Sequence, residues 1–158
     1  MIEMCRFPGT TFAVPAGGVC GVGICCMGAY QSLIKHCTFE ECTEAGIMLD
    51  ANVKECDQVY IEENNFWGNG NAGIDTEPTP AIPEDIRVHR NKFSRTNTAA
   101  QTLGIRTRAA WTGGMITDNF FAYTRAGVLA IDQARAALEA INVYCAGNSY
   151  TDGMDPRA

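Results

Sequence analysis

Hydrophobic and polar residues alternate along this chain in short runs of strand length, and the runs recur at a nearly constant interval. An aromatic residue closes five similar segments, with steps of 27, 27, 28 and 29 residues, at Phe39, Phe66, Phe93, Phe121 and Tyr150. A Gly-Ile or Gly-Val pair precedes each aromatic, beginning at Gly23, Gly46, Gly73, Gly104 and Gly127. Gly, Asn, Asp, Thr and Pro separate the runs, and these residues end strands and form turns. The pattern shows two short β-like runs in every repeat, which predicts a coil of two or three strands.

A repeat of this size cannot bury its own apolar face, so successive repeats have to stack. Stacked repeats pair their strands in parallel, about 4.8 Å apart along one axis. We therefore predict an all-β fold, a single-stranded parallel β-helix of about five coils. Only residues 132–140 have a composition typical of a helical turn or two.

Stacking also predicts columns of similar residues. We expect an asparagine column at a turn, where asparagine tolerates left-handed backbone geometry and its amides can hydrogen-bond between coils. Its members are Asn64, Asn91, Asn119 and Asn148, with Cys37 in the first place. The aromatic column is expected to point inward and stack. Three more inward columns are Ile24, Ile47, Ile74, Ile105 and Val128; Ile34, Ile61, Val88 and Ile116; and Cys26, Leu49, Thr76, Thr107 and Ala130.

Repeats that end in Asn-X-Phe, such as Asn64–Phe66 and Asn91–Phe93, resemble those of the right-handed parallel β-helix proteins of the pectate-lyase-like superfamily, also described as PbH1-type repeats. The resemblance covers residues 17–153 and implies a right-handed β-helix. Members of that superfamily include polysaccharide lyases, polygalacturonases, epimerases and phage tailspikes or appendages, many of which are trimers. The Gly-His-Gly and Arg-X-Lys signatures of the galacturonases are missing here, and Ala72 stands where their Asn-Thr-Asp-Gly signature would place a carboxylate.

The repeat also suggests a division of the chain. We expect residues 1–16 to form an N-terminal cap or partial coil, residues 17–153 the parallel β-helix, and residues 154–158 a tail. A β-helix exposes unpaired strand edges at its ends. This requirement favours either a homo-oligomer, for instance a trimer, or a piece of a longer protein.

Composition narrows the range of partners. The 158 residues include 12 basic and 18 acidic side chains, so the formal net charge is −6. This balance argues against nucleic acid or an anionic membrane as a partner. No apolar run approaches the roughly 20 residues of a membrane helix. The first eight residues have neither the basic nor the apolar region of a signal peptide, so we expect a cytoplasmic or virion location.

Cysteine is unusually frequent, with eight residues at positions 5, 20, 25, 26, 37, 42, 56 and 145. Disulfides among the first seven would close only short loops, so we expect mostly reduced, buried thiols. His36 and the nearby cysteines raise the alternative of a zinc site. However, the intervals Cys20-x4-Cys25 and Cys37-x4-Cys42 differ from the usual two-residue spacing. We therefore expect no metal and no other cofactor.

One outer face contains the candidate catalytic residues. Strand alternation places five charged side chains on it, namely Asp50, Asp75, Glu77, Arg106 and Arg108. Carboxylates and arginines beside long loops could bind an acidic polysaccharide, hold Ca²⁺ and move protons. The alternative is a set of exposed ion pairs, Asp75 with Arg106 and Glu77 with Arg108, without any function.

The second strand of each repeat predicts another outer surface. One column alternates in charge (His36, Glu63, Arg90 and Asp118), and its neighbour reads Lys35, Glu62, His89 and Thr117. A third column, Leu33, Tyr60, Arg87, Met115 and Tyr144, forms an aromatic and aliphatic stripe. Such a stripe is typical of either a sugar-stacking strip or a subunit interface. Tyr60, Arg87 and Tyr144 are its candidate binding residues.

These features lead to two functional hypotheses. The first is a non-enzymatic β-helix module, structural or carbohydrate-binding and oligomeric, similar to phage appendages. The alternative is a lyase or hydrolase that acts on an acidic polysaccharide with the charged face, aided by Ca²⁺. An open groove that contains Asp50 and Glu77 would favour the enzyme, whereas carboxylates closed off by arginines would favour the module.

Overall fold

The computed structural model describes residues 1–8, 21–50, 55–76, 83–94, 103–107, 111–122, 129–131 and 142–151. Within these ranges, every helix or strand assigned is a β-strand. In chain order the strands are β1 (Ile2–Glu3), β2 (Arg6–Pro8), β3 (Val22–Met27), β4 (Tyr30–Lys35), β5 (Thr38–Glu40), β6 (Ala45–Asp50), β7 (Asp57–Glu62), β8 (Asn65–Trp67), β9 (Ala72–Thr76), β10 (Glu84–His89), β11 (Lys92–Ser94), β12 (Leu103–Thr107), β13 (Thr112–Thr117), β14 (Phe120–Ala122), β15 (Leu129–Ile131), β16 (Tyr144–Ala146) and β17 (Ser149–Tyr150). Several predicted features lie outside the described residues: the helix at 132–140, the tail at 154–158, Cys20, Glu77, Arg108, Gly127 and Val128.

The strands form three parallel sheets, to which successive coils contribute one strand each. Sheet A has the order β1-β4-β7-β10-β13-β16, sheet B the order β17-β14-β11-β8-β5-β2, and sheet C the order β15-β12-β9-β6-β3. Consecutive strands do not pair, because each strand bonds to the third strand before it and the third after it. The predicted single-stranded parallel β-helix is therefore confirmed. Its repeat contains three strands, one more than the two obvious runs in the sequence.

Like residues stack as predicted through most of the helix. Phe39, Phe66 and Phe93 occupy equivalent places in neighbouring strands of sheet B, with ring centroids 4.8 to 4.9 Å apart. Phe7 extends this column at one end, and Phe121 and Tyr150 extend it at the other. The rings are nearly parallel and buried through most of the column, so the aromatic residues form a continuous core.

Register at the last strand of sheet C differs from the prediction. Ile131 pairs with Ile105 and is buried, although alternation from Gly127-Val128 would place it outside. The shift is three residues, and an odd shift moves every side chain of a strand to the opposite face. The branched side chain of Ile131 thereby continues the inward column of Ile47, Ile74 and Ile105. Alternation counted from Gly127-Val128 therefore gives the wrong face for Ile131.

Asparagine amides connect the coils, as predicted. Asn91 Oδ1 accepts hydrogen bonds from the backbone N–H of Asn64 at 2.9 Å and from Asn64 Nδ2 at 3.1 Å. Asn91 Nδ2 donates to the carbonyl oxygen of Ile61 at 2.8 Å and to Asn119 Oδ1 at 3.1 Å. Asn119 and Asn148 repeat the same geometry in the next coil. Each buried amide thus satisfies backbone groups that the turn would leave without a partner.

The left-handed residue of this turn is not the asparagine but the residue before it. Positive φ angles of 52° to 66° recur at His36, Glu63, Arg90, Asp118 and Gly147. The turn bends at these exposed or half-buried positions, which leaves each asparagine free to direct its amide into the core. The predicted left-handed geometry of Asn64, Asn91, Asn119 and Asn148 was therefore wrong by one residue.

Two of the cysteines replace asparagines at turns. Cys37 stands in the column of Asn64, and its backbone N–H donates to Asn64 Oδ1 at 2.9 Å. Cys42 stands in the column of Asn69, whose Oδ1 accepts from the Cys42 backbone N–H at 3.1 Å. The five-residue step between the two cysteines repeats the step between the two asparagines, so it follows the spacing of the turns. No three His, Cys, Asp or Glu side chains of the described ranges are placed to share a metal ion.

A second left-handed column runs along sheet A, at or just before the start of the strands from β4 to β16. Its members are Gln31, Gln58, Asp85, Gly113 and Asn142, with φ from 44° to 72°. The residue two positions later in each coil belongs to the predicted outer stripe of Leu33, Tyr60, Arg87, Met115 and Tyr144. The register pairs these stripe residues directly across four strand junctions.

Candidate binding groove on sheet A

A groove of about 330 Å³ lies on the outer face of sheet A, over its last four strands. Two neighbouring outer columns supply most of its walls, because β7, β10, β13 and β16 are paired in register. The lining residues are Glu62, Arg87, His89, Met115, Thr117, Asp118, Tyr144 and Ala146. The groove has room for a small ligand or part of a longer chain.

Tyr144 supplies the aromatic wall of the groove. Tyr144 is 58% exposed to solvent, which is unusual for a residue with a large aromatic side chain. It follows Met115 in the stripe, and the register places the two side by side. The ring therefore offers an open apolar face beside polar groups.

Arg87 also lines the groove and is held by two neighbours. Its Nε and Nη2 donate to the two carboxylate oxygens of Asp85, both at 3.2 Å. Its guanidinium carbon lies 4.7 Å from the centre of the Tyr60 ring, a cation–π distance. The hydrogen bond to Asp85 is the main reason that the pKa of Arg87 is raised above its usual value. Arg87 thus stays charged and covers one face of Tyr60.

His89 also lines the groove, and its imidazole contacts two neighbouring side chains. Its Nδ1 is 2.9 Å from Thr117 Oγ1 and 3.6 Å from Asp118 Oδ2. Asp118 occupies a left-handed turn position (φ 56°), and its side chain is 52% exposed. These contacts fix the orientation of the imidazole relative to the groove.

The predicted charge ladder along the neighbouring turn is only partly continuous. His36 Nε2 lies 2.5 Å from Glu63 Oε2, and Arg90 Nη1 lies 4.0 Å from Glu63 Oε1. Lys35 Nζ also approaches Glu63 Oε2, at 3.5 Å. The hydrogen bond from His36 is the main reason that the pKa of Glu63 is lowered. Asp118, the last residue of this column, contacts His89 of the neighbouring column.

Comparison with known proteins identifies the family of this architecture. The family described as "Right handed beta helix region" matches residues 2–133. The chain belongs to the right-handed β-helix family. No curated protein and no solved structure matches it. The described ranges contain no helix with the length and apolar character needed to cross a membrane.

The charged face of this right-handed β-helix differs from the prediction. Asp75 was expected on an open outer face of sheet C, but its side chain is 0% exposed. Arg106 Nε donates to Asp75 Oδ1 at 2.9 Å, and Arg106 Nη2 pairs with Asp75 Oδ2. The predicted pairing of the two residues is confirmed, whereas its predicted exposure was wrong. Met48, the neighbour of Asp75 in the register, is also buried, so this part of sheet C is not open to solvent.

Asp50 is the remaining candidate carboxylate among the described residues, and it lies two positions beyond Met48, the register partner of Asp75. Asp50 ends β6, is half-buried and is paired in the register with Met27. Glu77 and Arg108 lie outside the described residues, so the expected pairing of these two side chains and the contact of Asp50 with Glu77 cannot be placed. In the described part of sheet C, the structure shows an arginine closing off a carboxylate.

The predicted binding residues are brought together only in part. Arg87 and Tyr144 line the groove of the β-helix, whereas Tyr60 lies beneath Arg87 and is not among the lining residues. Sequence reasoning found both columns but missed their meeting in one groove. The sequence feature that indicates the groove is the decrease in side-chain size from His89 through Thr117 to Ala146. These positions lie next to the large Tyr144.

Proposed function

We propose that this chain is a non-enzymatic β-helix module that binds carbohydrate in the groove on sheet A. The observation that carries the proposal is the exposed Tyr144 ring beside a row of polar groups. Sugars present apolar C–H faces and hydroxyl edges, so an aromatic ring next to hydrogen-bonding side chains complements them.

The polar groups of the groove supply both donors and acceptors. Glu62 and Asp118 offer carboxylate oxygens, while Arg87 and His89 offer N–H donors. Since His89 and Arg87 are already oriented by their neighbours, little side-chain entropy would be lost when a ligand binds. Strands of a stacked sheet also hold these groups more rigidly than a loop would.

A matched pair of tyrosine variants tests this function. Tyr30 lies on sheet A, is 57% exposed and does not line the groove, so Tyr30→Ala controls for Tyr144→Ala. We expect a glycan array to detect binding by the wild type and by Tyr30→Ala. We expect Tyr144→Ala to lose at least about tenfold in affinity, the typical effect of removing an aromatic anchor. Equal binding by the two variants would refute the groove assignment.

The absence of turnover is the second part of the proposal. Asp75 is buried and bonded to Arg106, which argues against its use as the base of a lyase or the acid of a hydrolase. Incubation with uronate oligosaccharides and Ca²⁺ should give neither unsaturated products nor reducing ends. Product formation that Asp50→Ala abolishes would instead support the enzyme alternative.

The same face also favours self-association as a second role. The stripe of Leu33, Tyr60, Arg87, Met115 and Tyr144 crosses five coils, and aromatic, Met and Arg residues are enriched at interfaces. We propose a homo-oligomer, for instance a trimer, as the form that would use it. Light scattering during size-exclusion chromatography should give a multiple of the chain mass, and a monomer would exclude this role.

A further inference from the structure

We infer that the groove on sheet A selects saccharides that carry a positive charge, namely 2-amino sugars, over neutral sugars and uronates. This inference rests on the proposed carbohydrate-binding function and specifies its ligand class. Two carboxylates on the groove wall, those of Glu62 and Asp118, are the basis of the inference.

The positive charge of Arg87 is already balanced. Asp85 receives two hydrogen bonds from the guanidinium, both at 3.2 Å, so this pair contributes little net charge to the groove. The guanidinium also faces the Tyr60 ring at 4.7 Å. Arg87 is thus occupied on one edge and one face, and it is poorly placed to neutralise a further carboxylate on a ligand.

Other nearby cations are also engaged elsewhere. Lys35 is the register partner of Glu62, but its ammonium group lies 3.5 Å from Glu63 instead. Arg90 also approaches Glu63, at 4.0 Å. Among the described residues, no hydrogen bond or ion pair holds the Glu62 carboxylate, which has only a minor electrostatic interaction with Arg87. Asp118 has only the 3.6 Å contact with His89. The groove therefore offers two carboxylates to its ligand.

Electrostatics then decides which sugar fits. A uronate would bring a third carboxylate near two others, and like charges at short range oppose binding. A protonated 2-amino sugar would instead donate charge-assisted hydrogen bonds to Glu62 or Asp118, while its ring stacks on Tyr144. The ammonium adds the attraction of opposite charges to the hydrogen bond, which a hydroxyl or an acetamido group does not provide to the same carboxylate.

Three tetrasaccharides separate charge from sugar shape. Isothermal titration at pH 6 and low salt would compare oligomers of glucosamine, N-acetylglucosamine and galacturonic acid. We expect the glucosamine oligomer to bind about tenfold more tightly than the N-acetylated one, as expected for one charge-assisted hydrogen bond. The galacturonate oligomer should bind weakest, and added salt should reduce the preference for glucosamine.

Charge-neutral variants locate the effect in the groove. Glu62→Gln and Asp118→Asn should each weaken binding of the glucosamine oligomer more than binding of the N-acetylated one, so the preference falls. Glu84→Gln is the matched control, because Glu84 is exposed on β10 of the same sheet but does not line the groove. It makes the same change in net charge and should leave the preference intact, which excludes a general attraction of polycations to an acidic protein.

The outcomes distinguish failure of the inference from failure of the proposed function. Equal affinity for the charged and the neutral oligomer, or a preference for galacturonate, would overturn charge selection but leave carbohydrate binding. An equal loss of preference in Glu84→Gln would also overturn the inference. Absence of binding to all three oligomers, and to the glycan array, would overturn both.

Discussion

A Cβ atom built on Gly73 would lie 2.6 Å from Cδ1 of Phe93, closer than real Cβ contacts allow. The same conflict exists one coil earlier, between Gly46 and Phe66 at 2.7 Å. The two recurring elements of the sequence, the Gly-Ile pairs and the aromatics, are therefore two sides of one packing contact. Each glycine provides the space that a stacked ring fills.

This contact predicts that Gly73→Ala is destabilising. The added methyl group would displace the Phe93 ring from its stack, and overpacking of this kind costs about 1–3 kcal/mol. Urea unfolding would measure the loss of free energy. Gly73→Ala should destabilise the Phe93→Leu variant less than it destabilises the wild type, because the smaller leucine side chain relieves the clash. Additive effects in this double-mutant cycle would contradict the account.

Two adjacent glycines separate backbone strain from steric conflict. Both have a positive φ, +72° at Gly113 and +107° at Gly114. The Cβ position of Gly113 has open space around it, whereas a Cβ on Gly114 would also lie 2.2 Å from the carbonyl oxygen of Ile86. Gly113→Ala should therefore cost only the strain of left-handed geometry, about 1–2 kcal/mol. Gly114→Ala should cost clearly more in the same urea experiment. Similar losses for both would show that the strand junction is looser than described.

Replacement of an asparagine should lower the stability of the protein most in the middle of the asparagine ladder. Asn91→Ala removes hydrogen bonds to Asn64, Ile61 and Asn119 and leaves buried backbone groups unsatisfied, each of which costs about 1–3 kcal/mol. Asn148→Ala is the comparison, because that residue is half-buried and ends the ladder among the described coils. Thermal unfolding should rank Asn91→Ala as the less stable variant. The opposite order would contradict the buried ladder.

Thiol reactivity should follow depth in the β-helix. Burial raises the pKa of Cys26 to about 12 and that of Cys42 to about 11, so both thiols stay protonated at pH 8. Cys5 and Cys25 are exposed. Brief treatment with iodoacetamide followed by peptide mapping should modify the two exposed cysteines and spare the two buried ones. Labelling of Cys42 as fast as Cys5 in the folded protein would be inconsistent with the structure.

The lowered pKa of Glu63 predicts a small loss of stability at acidic pH. Its pKa is lowered in the folded protein, chiefly by the hydrogen bond from His36, so the stabilisation exists while the carboxylate is ionised. It is present above the unfolded pKa of about 4.3 and is lost as the pH falls through the lower folded value. Glu63→Gln should therefore lose less stability than the wild type between pH 6 and pH 3. Identical pH profiles would show that the contact contributes nothing in solution.

The fold was predictable because stacking of coils produces a regular spacing of similar residues in the sequence. A coil must place the same kind of residue above its predecessor, so the spacing of Phe39, Phe66 and Phe93 directly encodes the register. The prediction failed where the repeat varies in length. Gly127-Val128 has the same sequence pattern as the other Gly-Ile and Gly-Val pairs. However, Ile131 and not Val128 is the register partner of Ile105.

The groove was less predictable than the fold. Alternation identified the outward columns, but it does not report depth, and so Asp75 was placed outside and open although it is buried. It also does not report how Arg87 covers Tyr60, or that Thr117 and Ala146 leave room beside Tyr144. These features depend on side-chain size and rotamer across several coils, and a single column does not contain that information.

Backbone NMR during titration with the glucosamine tetrasaccharide tests the central claim most directly. The account predicts shifts of the amide signals of Glu62, His89, Thr117 and Ala146, which border the groove on sheet A. Signals of Asp75 and Thr76 on sheet C should remain unchanged. Shifts confined to sheet C, or no shifts at saturating saccharide, would contradict the assignment of the groove as the binding site.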